Sequence, residues 1–215
     1  MLPIRFAATL LFTLPIFAAD APLPDLHTDP AAGGSIFTVK NNYSQPLAAF
    51  VIELVDYPGS TFSLVHDEMG AGAILAGAEK KINVTNMTVG AVPEHVKLLA
   101  AIYEDGATVG ASDKIKEILD RRKAKLETTR EIIQRIEKAQ AAGKDKDAIV
   151  AELREWSNSM APPRSIHPVA VDSAKIAVRT QVGVAAGHIN TQGVAPELAN
   201  LKKTESELAA SKPPL

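Results

Sequence analysis

Apolar residues recur at every second position between residues 35 and 110 and at every third or fourth position from residue 112 onward. The chain therefore divides into a strand-rich part and a helical part. Phe37 and Val39 alternate with Thr38 and Lys40, and the turn-forming residues 41–46 follow. Residues 47–55 are then apolar on both faces apart from Glu53, as in a central strand covered on each side. Phe62 with Leu64, Ile82 with Val84, and Val96, Leu98, Ala100 and Ile102 define further alternating faces, and residues 73–75 a short strand. Asp105-Gly106 predicts a hairpin into residues 107–109. Six or seven short strands in so compact a span, with no helical insert, predict a small antiparallel sandwich.

Residues 113–142 contain no Pro or Gly and are rich in strong helix formers, so they predict one long amphipathic helix. Its 4,3-spaced seam runs through Ile115, Leu119, Leu126, Ile133 and Ile136, and is broken by Arg122, Thr129 and Gln140. A stable two-stranded coiled coil would place apolar residues there. The better expectation is an intramolecular hairpin over residues 112–160, with homo-oligomerisation through the long helix as the second choice. Ser112 is positioned to cap the helix. Gly143 ends it, and a second helix carries Ile149, Leu153, Trp156 and Met160. Trp156 reads first as the packing anchor of that hairpin and second as an exposed binding residue. Three prolines make residues 161–168 a linker. Residues 169–215 predict a helical, partly flexible segment, with a strand-rich alternative over 176–184 and Pro196 in the first turn of a last helix.

The N-terminus has a different pattern. One positive charge within residues 1–5, an apolar run over 6–17 and small residues over 18–21 match a secretory signal peptide. The run is too short to span a bilayer comfortably. Ala19-Asp20-Ala21 meets the small-x-small rule, but a cut there would leave Pro22 first, so cleavage after Ala18 or Ala19 also stands. Residues 22–34, with three prolines and a terminal Gly-Gly, read as a flexible leader. The expected localisation is exported, periplasmic or extracellular, with no membrane span left after signal removal.

The segment FTVKNNYSQPLAAFVIELVDYPGS, a strand, an Asn-x-Ser turn, a long strand and then Asp-x-x-Gly, resembles the opening hairpin of small immunoglobulin-like modules of exported bacterial proteins. Gly77-Ala78-Glu79 loosely matches the Gly-x-Glu that precedes a return strand in such modules. The resemblance covers about a third of the chain. It implies a fold and an interaction role, and it carries over no catalytic residue. The expected class is α+β: an immunoglobulin-like β-sandwich over residues 35–111, then the long helix and its hairpin.

Composition narrows the function. A net charge of −2 gives no reason to expect nucleic-acid binding. The absence of cysteine removes disulfides, thiolate metal sites, a cysteine nucleophile and a lipid-modified anchor. Residues 22–110 carry 4 Lys/Arg against 10 Asp/Glu, whereas residues 112–160 are slightly basic. The densest basic spot is Arg121, Arg122, Lys123 and Lys125. It either meets an anionic lipid or polysaccharide of the envelope, or is an exposed helix face or a contact with the protein's own acidic sandwich. His66-Asp67-Glu68 clusters ligand types but reads as a solvated turn, and His27, His95, His167 and His188 share no ligand spacing. Asn42, Asn83 and Asn86 begin glycosylation acceptor triplets that matter only in a eukaryotic source. No HExxH, GxSxG, SxxK or phosphate-cradling loop is present.

Two readings follow. The first is a non-enzymatic exported protein that binds another protein or an envelope component, with no cofactor or metal. The second is an enzyme whose acid–base groups, Glu53, Asp56, His66, Asp67 and Glu104, are gathered by the folded sandwich.

Overall fold

The computed structural model describes residues 21–56, 62–69, 72–85, 95–161 and 173–215. Among them lie strands β1 (Asp25–Ala31), β2 (Gly34–Lys40), β3 (Leu47–Leu54), β4 (Ser63–Asp67), β5 (Glu79–Thr85), β6 (Val96–Tyr103) and β7 (Thr108–Gly110). Helices α1 (Ser112–Ala141), α2 (Lys146–Ser159), α3 (Ser173–Gln192) and α4 (Val194–Ala209) follow. The chain is thus α+β, two antiparallel sheets and then four helices. The signal-peptide reading of residues 1–20 and nearly all of the proline-rich linker fall outside the described residues.

One sheet has the order β1-β2-β5 and the other β4-β3-β6-β7. Their inner faces share one apolar cluster, with Phe37 and Val39 from the first sheet and Leu47, Phe50, Ile52, Ala101 and Tyr103 from the second. Ala49, Val51 and Ile102 point from the other face of the four-stranded sheet toward Ile115, Ile118 and Leu119 of α1. This double cover is why β3 is apolar on both faces. The expected short strand at 73–75 is a single bridge, Ile74 with Leu47.

Residues 22–34 are not a flexible leader. From Asp25 opposite Lys40 to Ala31 opposite Gly34, β1 pairs with β2 in unbroken register. The two strands are joined by a tight turn in which Gly33 has φ +76°. Prolines suggest a break, yet β1 is an edge strand that needs donors on one side only, so Pro30 is tolerated there. Ahead of β1, Ala21 and Pro24 are buried, and the Tyr103 hydroxyl donates to Pro22 O at 2.6 Å. Burial pushes the Tyr103 phenol up to about 12, with Tyr43 and Asp105 adding to the effect. The unfolded phenol loses its proton near the ordinary value of about 10. The contribution to stability is therefore complete below that pH and is lost as pH rises from about 10 toward 12. A Tyr103→Phe variant should melt lower at neutral pH and show a shallower alkaline decline, read from melting temperature against pH. An unchanged alkaline slope would contradict this assignment.

The turn after β2 is built on Asn41, which is fully buried. Its Nδ2 donates to Gln45 O at 2.8 Å and Ile74 O at 2.9 Å, and its Oδ1 accepts from the Tyr43 amide at 2.9 Å. Its backbone N–H donates to Ala78 O, and its carbonyl accepts from Gly77 N–H. One side chain thereby fixes the loop from β2 to β3 against the segment leading into β5.

At the end of β7, Gly110 has φ +98°, and a Cβ there would lie 2.1 Å from Leu99 O. The chain can therefore turn tightly off the sheet edge into α1. Ser112 does not cap that helix: the N-cap is Ala111 and no side chain supplies the capping bond. Gly143, at φ +73°, reverses the chain, and Asp145 caps α2 by accepting from Ala148 N–H at 2.8 Å. The expected hairpin is half of a larger assembly. The core of the helical half takes Ile132 and Ile136 from α1, Ile149 and Leu153 from α2, Val182 and Ile189 from α3 and Leu201 from α4. Residues 176–184 are helical rather than extended, because Val182, Ala185 and Ile189 face that core at helical spacing. Among the described residues no helix is long and apolar enough to cross a membrane.

Candidate functional site

The polar groups singled out in the sequence meet chiefly where α1 lies on the four-stranded sheet. Lys114 donates to Glu53 on β3, and the Glu53 contact raises the Lys114 pKa. Eight residues further along, Arg122 donates from Nε and Nη2 to Asp67 on β4 at 2.6 to 3.1 Å. Eight helical residues span about 12 Å. Asp67 lies opposite Ala49, four residues from Glu53, or about 13 Å along a strand. The two ion pairs are therefore in step and clasp α1 to the sheet at both ends of the apolar patch formed by Ile115, Ile118 and Leu119. The Arg122 side chain is only 1% exposed, and its Nη1 also donates to Lys212 O at 3.3 Å, which ties the C-terminal tail to the junction.

The basic spot thus does not form one surface. Arg122 is buried against the acidic sandwich. Arg121 lies 3.8 Å from Glu117, and Lys125 borders a small cleft of about 260 Å³ with Asp67, Glu68, Glu207 and Leu208. Lys123 is two residues from both Arg121 and Lys125, a rotation of about 200° that turns it to the other side of the helix.

His66-Asp67-Glu68 is not a solvated turn. His66 and Asp67 end a strand, where consecutive side chains point to opposite faces. His66 stacks on Phe50 with ring centroids 4.7 Å apart, while Asp67 faces Arg122. Lys80 bridges the sheets at this edge, 2.7 Å from Glu68 Oε2 and 3.4 Å from His66 Nε2. Burial, with the Lys80 ammonium second, holds the His66 pKa below the usual histidine value. The Lys80 hydrogen bond holds that of Glu68 below the usual carboxylate value. Among the described residues no three His, Asp or Glu side chains are arranged to hold a metal ion.

The five acid–base candidates are not brought together. Glu53 and Asp56 lie toward the end of β3, Asp56 with φ +60°, and Glu53 is about 13 Å along the sheet from the level of Asp67. Glu104 follows β6 at the Asp67 end, but β3 separates β6 from β4. Lys80 and Asn41 were not singled out as site residues. Lys80 was legible, since it shares the inward face of Ile82 and Val84 in a period-two strand.

Trp156 is half-buried against the helical core, and the Arg135 guanidinium sits 4.1 Å from its ring centroid. The pair stands in an open groove of about 780 Å³ between α1 and α2. The α1 side presents Glu131, Arg135 and Lys138, and the α2 side presents Glu152 and Glu155. Glu131 is bonded to Arg135 at 2.7 Å, and Glu152 is paired with Lys144. Lys138 and Glu155 form no ion pair among the described residues.

No family model matches the chain, and neither a curated protein nor a solved structure matches it.

Proposed function

We propose that this chain is an exported, non-catalytic binding or structural protein of the envelope or extracellular space, built on a small immunoglobulin-like module. Its partner is a protein or another envelope component. One observation carries the functional reading: Glu53 and Asp67 are each tied to a cation of α1 and serve the junction between sheet and helix. Carboxylates held this way are engaged by their cations in positioning α1 on the sheet. The groove beside Trp156 is a concave surface open to a partner, with a net positive α1 side and a negative α2 side. The strand order β1-β2-β5 and β4-β3-β6-β7 supports the module, since it corresponds to A-B-E and C′-C-F-G of an immunoglobulin-type sandwich. The chain departs from antibody-type domains in having no cysteine pair and no tryptophan on β3.

The test is affinity capture from the native envelope with the mature protein, alongside a Lys138→Glu/Glu155→Lys variant that leaves the helical core intact. One stoichiometric species retained by the native chain and lost by the variant is the expected result. Turnover of a substrate that disappears on Glu53→Gln at unchanged melting temperature would overturn the reading in favour of an enzyme.

A further inference from the structure

At one edge of the sandwich the layer between the sheets turns polar. There β5 is the outer strand of one sheet and β4 the outer strand of the other. Lys80 shares the inward face of β5 with Ile82 and Val84, and His66 shares the inward face of β4 with Leu64. Within the sheets Lys80 lies opposite Val39 and His66 opposite Phe50, both fully buried. The His66 side chain is 11% exposed and stacks on the Phe50 ring.

The contact between these two polar side chains fixes the protonation of the ring. Lys80 Nζ is 3.4 Å from His66 Nε2. An ammonium has only protons to offer, so Nε2 accepts and the ring proton sits on Nδ1. Lys80 also donates to Glu68 Oε2 at 2.7 Å, and so ties β5 both to the end of β4 and to the residue after it.

We propose that His66 and Lys80 form an acid-released latch between the two sheets: neutral His66 holds Lys80 at Nε2, and a proton on that nitrogen drives the ammonium off and loosens the β4–β5 edge. The surrounding charges do not absorb the new one. Glu68 Oε2 stands 3.8 Å from Nε2 but is already bonded to Lys80, so an imidazolium competes with the ammonium for one carboxylate. Asp67 points to the opposite face and is held by Arg122. From β3 comes the uncharged Phe50 ring, while Glu79 and Lys81 alternate to the outer face of β5. Lys125 and Glu207 line the neighbouring cleft with Glu68. Burial and the Lys80 charge favour the neutral ring in the folded chain. The unfolded chain therefore takes up the proton first, near the ordinary value of about 6.5. The latch's contribution to stability is complete above that pH and is lost as pH falls from there to the lower folded value.

The experiment follows the full chain by nitrogen NMR of its imidazoles and by amide hydrogen exchange, corrected for intrinsic rates, at neutral pH and at about pH 5, on either side of an ordinary histidine. A neutral His66 ring protonated on Nδ1 is expected, with protection of β4 and β5 that falls several-fold in acid while the helical core keeps its own. His66→Phe keeps a ring on Phe50 and removes the titrating nitrogen, so protection at this edge should no longer depend on pH. Lys80→Met should bring the His66 midpoint up toward that of an ordinary histidine and shrink the acid effect, and it carries the test if His66→Phe does not fold. A neutral ring protonated on Nε2, an edge equally protected at both pH values, or an acid effect undiminished in the variants would each overturn the latch.

Discussion

Replacing Asp67 with alanine should lower the unfolding free energy by about 3 kcal/mol, measured by urea denaturation at neutral pH. Breaking a buried ion pair from one side costs about 3 to 5 kcal/mol, because the surviving charge stays buried without its partner. Here the survivor is Arg122, at 1% side-chain exposure, left with the single 3.3 Å bond to Lys212 O. Asp67 is 25% exposed, which lets some water reach the site and puts the expectation at the lower end of that range. The control is Asp67→Ala combined with Arg122→Met, which removes both charges and keeps the bulk of the long side chain. That double variant should recover most of the loss. If it is as unstable as the single variant, the stranded guanidinium is not the cause.

A second large effect is expected at Asn41. Alanine there strands the carbonyl of Gln45 and the amide of Tyr43 and takes one of two donors from the Ile74 carbonyl, which keeps its bond from Leu47 N–H; each of the three now meets the Asn41 side chain within 2.9 Å. An unmet buried polar group costs about 1 to 3 kcal/mol. The two groups left unmet lie nearer the surface than Ile74, so a loss of about 2 kcal/mol is the expected total. Asn41→Asp is the sharper probe. It keeps the acceptor for Tyr43 but turns a carboxylate oxygen toward two carbonyls. It should be at least as unstable as the alanine variant at neutral pH and recover in part when acid protonates the new side chain. A cost below 1 kcal/mol for Asn41→Ala would remove Asn41 from its role as the hub of this loop.

Both residues show what the amino-acid pattern disclosed and what it hid. The apolar run of β3 and the 4,3 seam of α1 were legible because periodicity reports which faces are covered. The same seam placed Arg122 and Thr129 among its positions, and both are in fact buried. They were read as breaks because their distant partners are set by tertiary structure: Asp67 for Arg122, and Gln181 for Thr129, whose hydroxyl also donates to Lys125 O one turn back in α1. Asn41 was legible as a turn former but not as a buried hub, since Ile74 lies 33 residues away. Strand β1 was missed because prolines dominate its surroundings and an edge strand tolerates them. For the candidate site, the sequence lists acid–base groups but not how the fold distributes them. Glu53, Asp56, Asp67 and Glu104 sit at separate places on or just beyond one sheet, and residue spacing says nothing about which cation of α1 Glu53 and Asp67 face.

The geometry of α1 has a mechanical consequence. At 30 residues it is about 45 Å long. Its opening turns lie on the outer face of the four-stranded sheet, and its closing turns supply Ile132, Ile133 and Ile136 to the helical core. A continuous helix shared by two cores acts as a strut. The halves cannot pivot at a loop, so load applied beside Trp156 passes through unbroken backbone hydrogen bonds to the clasp at Arg122 and Asp67, and from there into the sandwich.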